Sequence, residues 1–174
     1  ATVRAIVDAH GKLDCAVANA GFAVGGAVEQ LSADDWRRQL DVNVVGAAMT
    51  ARYALDPLRK SKGRLALVGS ISAMVPIAKN GAYTASKYAV RALGQTLSLE
   101  LHGSGVSCTT IHPGFVASEI AQVDNDGVFH EDKKDKRPAK LMWPTDKAAR
   151  VMVAAIAKRK REFVFTGHGK FGGY

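Results

Sequence analysis

Short apolar runs alternate along this chain with longer stretches whose apolar residues recur at helical spacing, and that alternation sharply limits the folds open to it. Leu13-Asp14-Cys15-Ala16-Val17-Ala18, Arg64-Leu65-Ala66-Leu67-Val68-Gly69, Val106-Ser107-Cys108-Thr109-Thr110-Ile111 and Glu162-Phe163-Val164-Phe165-Thr166 each read as a strand, the first of them buried. A helix begins at Ser32, with Asp34 and Asp35 favourably placed in its first turn and an apolar stripe of Trp36, Leu40, Val44 and Ala47. Pro57 and Gly63 mark its end region. A second helix carries Val90, Leu93, Leu97 and Leu101 and stops at Gly103 and Gly105, and a third runs from Asp146 to about Ala157 under a Thr145 cap. Strands alternating with helices predict βαβ units and a parallel sheet, hence an α/β fold. No internal repeat is present.

The length, 174 residues, suits a single domain spanning 1–174, and 47% apolar residues suffice for a core. A polar stretch from Glu119 to Lys140 reads as a flexible loop or lid within a 119–142 segment. No apolar run is long enough to span a bilayer, and no basic and apolar leader opens the chain. The opening, Ala1 to Gly11, reads instead as the last turns of a helix with a glycine stop. Cys15 and Cys108 fall in apolar runs without metal-ligand spacing, so buried, reduced thiols in a reducing compartment, the cytoplasm, are expected, and no metal site. The net charge of +8 is concentrated in Lys133-Lys134-Asp135-Lys136-Arg137 and Lys158-Arg159-Lys160-Arg161. No recognition motif accompanies these runs, so a solvated loop and helix end are favoured over a nucleic-acid or acidic-membrane surface.

Tyr83-Thr84-Ala85-Ser86-Lys87 places a phenol and an ammonium four residues apart, on one face of the second helix. A free tyrosine, with a pKa of about 10, is a poor acid or base at neutral pH, and a nearby positive charge favours the phenolate. The pair is a candidate proton-transfer device, although the spacing alone is equally that of a surface pair. In open parallel sheets ligands bind beyond the C-terminal ends of the strands. Asn19-Ala20-Gly21, Ser70 and His112-Pro113-Gly114 all follow strands, and Tyr83 starts the helix that returns from the Ser70 strand. These segments are expected to share one rim.

With these residues in place the chain resembles the short-chain dehydrogenase/reductase family. Asn19-Ala20-Gly21 looks like the family's Asn-Ala-Gly turn and Asn43 like its helix asparagine. Ser70 stands thirteen residues before Tyr83, the spacing of its catalytic serine, Tyr83-x-x-x-Lys87 matches its proton-transfer pair, and Pro113-Gly114 its following turn. The resemblance implies a Rossmann-like doubly wound parallel sheet in three α/β/α layers, NAD or NADP as cofactor, and interconversion of a secondary alcohol with a ketone or aldehyde by hydride transfer. By the same resemblance Tyr83 exchanges the proton, Lys87 lowers the tyrosine pKa and holds the nicotinamide ribose, and Ser70 hydrogen-bonds the substrate oxygen, so that Ser70 and Tyr83 bind substrate. Asn43 helps to hold a water linking Lys87 to solvent, which completes a catalytic set of Asn43, Ser70, Tyr83 and Lys87. Asn19, Ala20, Gly21, Tyr83, Lys87, Pro113, Gly114, Val116 and Ser118 are the expected cofactor contacts. Ser72 competes with Ser70 on type alone, and His112 is expected to be a satisfied structural histidine.

The family's N-terminal glycine-rich segment, which grips the pyrophosphate, has no counterpart before Leu13. The expectation is therefore a partial chain lacking the N-terminal strands, with weak or no dinucleotide binding by a molecule that begins at Ala1. The abrupt ending at Lys170 to Tyr174 points the same way. Met74, Val75, Ile77, Phe115 and Leu141-Met142-Trp143 are equally candidates for a lipophilic pocket and for core. The substrate is a small alcohol or carbonyl compound, and a homodimer or homotetramer is expected. The rival readings are a catalytically idle cofactor-sensing or interaction protein on the same fold, and a basic binding surface.

Overall fold

The computed structural model describes residues 2–135 and 137–166. Helix α1 (Thr2–His10) leads into β1 (Cys15–Ala18), followed by α2 (Ala33–Leu40), α3 (Gly46–Ser61), β2 (Arg64–Val68), α4 (Gly81–Glu100), β3 (Ser107–His112), α5 (Thr145–Ala157) and β4 (Glu162–Val164). The four strands form one wholly parallel sheet in the order β1-β2-β3-β4. Ala18 pairs with Leu67, Val68 with Ile111 and His112 with Val164. The C-terminal ends of the strands therefore line up along one edge.

Alternation along the strands sends side chains to two separate cores. Leu65 and Leu67 pack with Ala47, Ala51, Ala54 and Leu58 of α3 and with Val90 and Leu97 of α4. Ala66 and Ile111 face the other way, onto Ala148 and Ile156 of α5 and onto Phe165. Helices thus cover both faces of the sheet, the layering expected when parallel strands are buried on both sides.

The helix signals are realised with informative departures. Ser32 caps α2 through a capping box, its hydroxyl accepting from Asp35 N–H and its own N–H donating to the Asp35 carboxylate. Between α2 and α3 the helix widens into one π turn, Asp41–Val45, which contains Asn43. Pro57 lies inside α3, which runs on to Ser61 and ends at Lys62 in the left-handed region. Thr145 is the first residue of α5 and no cap, because its hydroxyl donates to Ala117 O (2.6 Å).

Two expectations about β1 are corrected. Among the described residues it stands at one end of the sheet order, with alternating exposed and half-buried residues, and Cys15 lies exposed on it, whereas Cys108 is buried. An apolar run cannot by itself disclose what packs beside a strand. Burial pushes the Cys108 thiol up to about 12.

The polar stretch after β3 carries specific anchors. Val123 bridges antiparallel to Phe129, and the Asp124 carboxylate caps the intervening turn by accepting from Asp126 and Val128 N–H. Asn125 exchanges two hydrogen bonds of 2.9 Å with the backbone of Gly25, and Asp126 pairs with Arg38 at 2.9 Å. The segment therefore reaches across the strand-end edge to the loop that follows β1. The chain end from Lys170 to Tyr174 lies outside the described residues.

Candidate functional site

Four segments meet where the strands end. Ser70 follows β2 with extended backbone, and its Oγ accepts from Ser72 N–H (3.1 Å), which shapes the short turn Ile71–Ala73. That turn is tied to the next strand end by Ile71 N–H donating to Pro113 O (2.8 Å). Tyr83 stands in the first turn of α4, and its phenol faces the Ser70 side chain closely enough for that hydroxyl to act on its proton affinity. Ser72, the competing serine, serves this arrangement through its backbone.

Lys87 lies one helical turn beyond Tyr83 and is almost wholly buried. Its Nζ donates to Val68 O (3.0 Å) and sits 5.6 Å from the centre of the Tyr83 ring. Burial lowers the lysine pKa to about 8. The tyrosine behaves differently from the simple expectation. Burial raises the phenol above its ordinary value, while the Ser70 hydroxyl and the Arg137 guanidinium pull it back down. Arg137 is thus a further cation acting on the phenol, while the Lys87 ammonium over the ring is also turned towards the Val68 carbonyl.

Asn43 is buried, and its amide spans two elements. Nδ2 donates to Phe22 O (3.1 Å) and to Ser86 Oγ (3.0 Å), while Oδ1 accepts from Phe22 N–H (3.1 Å). Ser86 in turn donates to Tyr83 O (2.7 Å). One turn earlier, Gln39 repeats the motif, donating to Phe22 O (2.9 Å) and accepting from Val24 N–H (2.7 Å). Together the two amides fix the loop after Asn19-Ala20-Gly21. The π turn explains how a mid-helix asparagine reaches this position, and π turns recur at functional sites. Sequence reasoning missed Gln39 and Ser86, although Gln39 and Asn43 stand at i and i+4 on one helix.

The Asn19-Ala20-Gly21 turn is exposed at the rim. A Cβ at Gly21 would lie 3.1 Å from Asn43 Oδ1 and 3.6 Å from Lys87 Nζ, so glycine keeps a space open between them. On the opposite side, Val116 bridges Trp143, and Arg137 Nη1 and Nη2 donate to Val116 O (3.1 Å) and Ser118 O (3.0 Å). Asp135 holds the same guanidinium through Nε and Nη2. Pro113 and Gly114 form the turn between these anchors. Among the pocket candidates, Trp143 belongs to the core against Phe165, with ring centres 5.6 Å apart. Val75, Ile77 and Leu141 are exposed. Among the described residues, no cluster of three or more His, Cys, Asp or Glu could hold a metal ion.

A parallel α/β fold with a tyrosine, a serine and a buried lysine gathered at its strand ends has the layout of open-sheet proteins whose ligands bind beyond the strand ends. The comparisons make this specific. A family model described as "short chain dehydrogenase" matches residues 1–128, and the chain belongs to that short-chain dehydrogenase family. It is 33% identical over 130 residues to a 3-alpha-(or 20-beta)-hydroxysteroid dehydrogenase of Mycobacterium bovis, covering 74% of this chain and 50% of that protein. It is 34% identical over 143 residues to the 2,3-dihydro-2,3-dihydroxybenzoate dehydrogenase of Escherichia coli, covering 80% of this chain and 58% of that protein. A short chain dehydrogenase/reductase from Burkholderia phymatum, solved in complex with NAD, superposes with a TM-score of 0.81 at 26% identity, over 93% of this chain and 64% of that one. The chain thus spans about half the length of the curated relatives it matches.

Proposed function

We propose that this chain carries the proton-transfer and nicotinamide-facing part of an NAD- or NADP-dependent oxidoreductase that interconverts secondary alcohols with ketones or aldehydes. The observation that supports it most is the Tyr83 phenol facing the Ser70 side chain, with the buried Lys87 one turn away, its Nζ 5.6 Å from the phenol ring centre and bonded to Val68 O at the end of β2.

The residues fit the ribose and nicotinamide end of a dinucleotide. Lys87 Nζ has three donors and one carbonyl partner, Val68 O, so it can also grip a ribose diol. The space that Gly21 keeps open lies beside that ammonium. Asn19, Ala20, Gly21, Pro113, Gly114, Val116 and Ser118 form the two walls of this end. When bound, the dinucleotide supplies or accepts the hydride at the substrate carbon.

In carbonyl reduction the Tyr83 O–H bond breaks and its proton passes to the substrate oxygen, while the Ser70 hydroxyl donates to the same oxygen. The resulting phenolate is favoured by the Lys87 ammonium and by Arg137. Asn43 holds the loop that keeps Lys87 in register. In alcohol oxidation the same steps run backwards.

No described helix is long and apolar enough to cross a membrane. Two free thiols with no disulfide between them suit a reducing compartment such as the cytoplasm. Val45, Met49 and Tyr53 make an exposed apolar stripe at i, i+4 and i+8, which supports self-association as a homodimer or homotetramer. The activity is tested by offering NADH and NADPH with a panel of ketones and aldehydes and following nicotinamide absorbance. Carbonyl-dependent oxidation of one dinucleotide is expected. Dinucleotide binding without turnover of any carbonyl would instead favour the catalytically idle, cofactor-sensing reading.

A further inference from the structure

His112, the last residue of β3, is completely buried beside the site. Its Nδ1 lies 3.2 Å from the carbonyl oxygen of Ser70. A carbonyl only accepts, so this contact requires the proton on Nδ1. The approach is possible because residue 69 is glycine: a Cβ there would stand 2.7 Å from the same nitrogen. On the other side of the ring, Nε2 faces Glu162 Oε1 at 2.9 Å, without the alignment of a full hydrogen bond.

Glu162 opens β4 and is itself clamped. Arg91 Nε donates to Oε1 (2.6 Å), and Arg91 Nη1 reaches Ala73 O (3.5 Å), at the far end of the turn that Ser70 begins. Arg91 stands one turn beyond Lys87 on α4, so Tyr83, Lys87 and Arg91 occupy i, i+4 and i+8 of one helix face. The groups that face His112 are therefore Ser70 O after β2, Glu162 on β4 and, behind Glu162, Arg91 on α4. They close a ring of polar contacts around the Ser70–Ala73 turn.

We propose that His112 is a positioning residue for Ser70: with Glu162 and Arg91 it locks the turn that sets where the Ser70 hydroxyl points towards Tyr83. The catalytic consequence rests on the reading of Ser70 as a substrate-oxygen donor, whereas the geometric one does not. Burial lowers the His112 pKa while the Glu162 carboxylate beside Nε2 raises it, and the positioning itself needs only the Nδ1 proton that the Ser70 carbonyl accepts. A histidine buried merely as core would leave the Ser70 hydroxyl where it is when replaced by a residue of similar bulk.

The test uses the whole chain and has three readouts. In the wild-type protein, nitrogen-15 spectra of the His112 ring should show a proton on Nδ1, and a ring protonated only on Nε2 would overturn the proposal. The amide proton of Ser72 donates to Ser70 Oγ, so its chemical shift reports directly on that hydroxyl. It should move in His112→Leu and in Arg91→Gln, and return towards the wild-type value in His112→Asn, whose amide nitrogen stands the same number of bonds from Cα as Nδ1. A folded His112→Leu protein with an unmoved Ser72 amide refutes the positioning role. Kinetically, His112→Leu should lower kcat about 10- to 100-fold with the dinucleotide KM unchanged, and His112→Asn should restore most of it. If the Ser72 amide responds and the wild-type protein turns over no carbonyl, the oxidoreductase reading fails while the positioning role stands.

Discussion

At the scale of single residues, the site is governed by desolvation. Lys87 reaches its carbonyl partner at the expense of its hydration, which lowers its pKa from 10.5 to about 8. Between these values the unfolded chain binds the proton and the folded one does not, so stability rises with pH across that window. At neutral pH the buried ammonium weakens the fold by up to about 3 kcal/mol relative to alkaline conditions. Urea melts should therefore show Lys87→Met gaining most on wild type near pH 7, with the advantage shrinking from pH 8 to 10.5. A stability difference constant over that range would show that burial does not set the lysine's proton affinity. Arg137 acts on the phenol in the opposite sense to burial. Removing it in Arg137→Leu should raise the Tyr83 pKa and move the rising limb of the alcohol-oxidation pH profile to higher pH. A profile that stays in place would remove Arg137 from the electrostatics of the site.

At the scale of elements, what joins helix to sheet is as specific as what fills the core. A Cβ at Gly94 of α4 would fall 1.9 Å from Thr110 Oγ1 of β3. Alanine is the better helix former by about 1 kcal/mol, yet Gly94→Ala should destabilise the protein by about 1–3 kcal/mol, because α4 must lift off the strand that ends in His112. Chemical denaturation measures this directly, and a stabilised variant would contradict the close packing. The same elements show what the sequence can and cannot disclose. The Ser32 box, the β2 run and the Tyr83 helix were legible because caps, apolar runs and i, i+4 spacing are local signals. The exposure of Cys15 was not, because the burial of a strand residue depends on what packs beside it. The Thr145 hydroxyl found a carbonyl twenty-eight residues away in sequence instead of its own helix end. The roles of Gln39, Ser86 and Arg137 depend on partners brought in by the fold. In the sequence Arg137 shows only as part of a basic run.

For the molecule as a whole, the excess positive charge is partly structural. Arg159, in the second basic run, donates to the carbonyls of Lys62, Gly63 and Gly105, stitching the N-terminal ends of β2 and β3 together. Arg159→Ala should lower stability by about 1 kcal/mol through the lost hydrogen bonds at the strand ends, read as a lowered urea midpoint. An unchanged midpoint would return this run to the solvated surface. At the other end of the sheet, α4 supplies Tyr83, Lys87 and Arg91 from one face, and the loops after β1, β2 and β3 supply the amide cradle, Ser70 and the Pro113 turn. The central claim is that this arrangement moves a proton at the substrate oxygen in step with hydride transfer. The most direct measurement is deuterium transfer from C4-deuterated NADH or NADPH to a ketone, compared between wild type and Tyr83→Phe with dinucleotide affinity measured alongside. The expected result is labelled alcohol from wild type and at least about 100-fold slower labelling by the variant at unchanged affinity. Equal labelling rates in the two proteins, or no labelled alcohol from wild type with either dinucleotide, would contradict it.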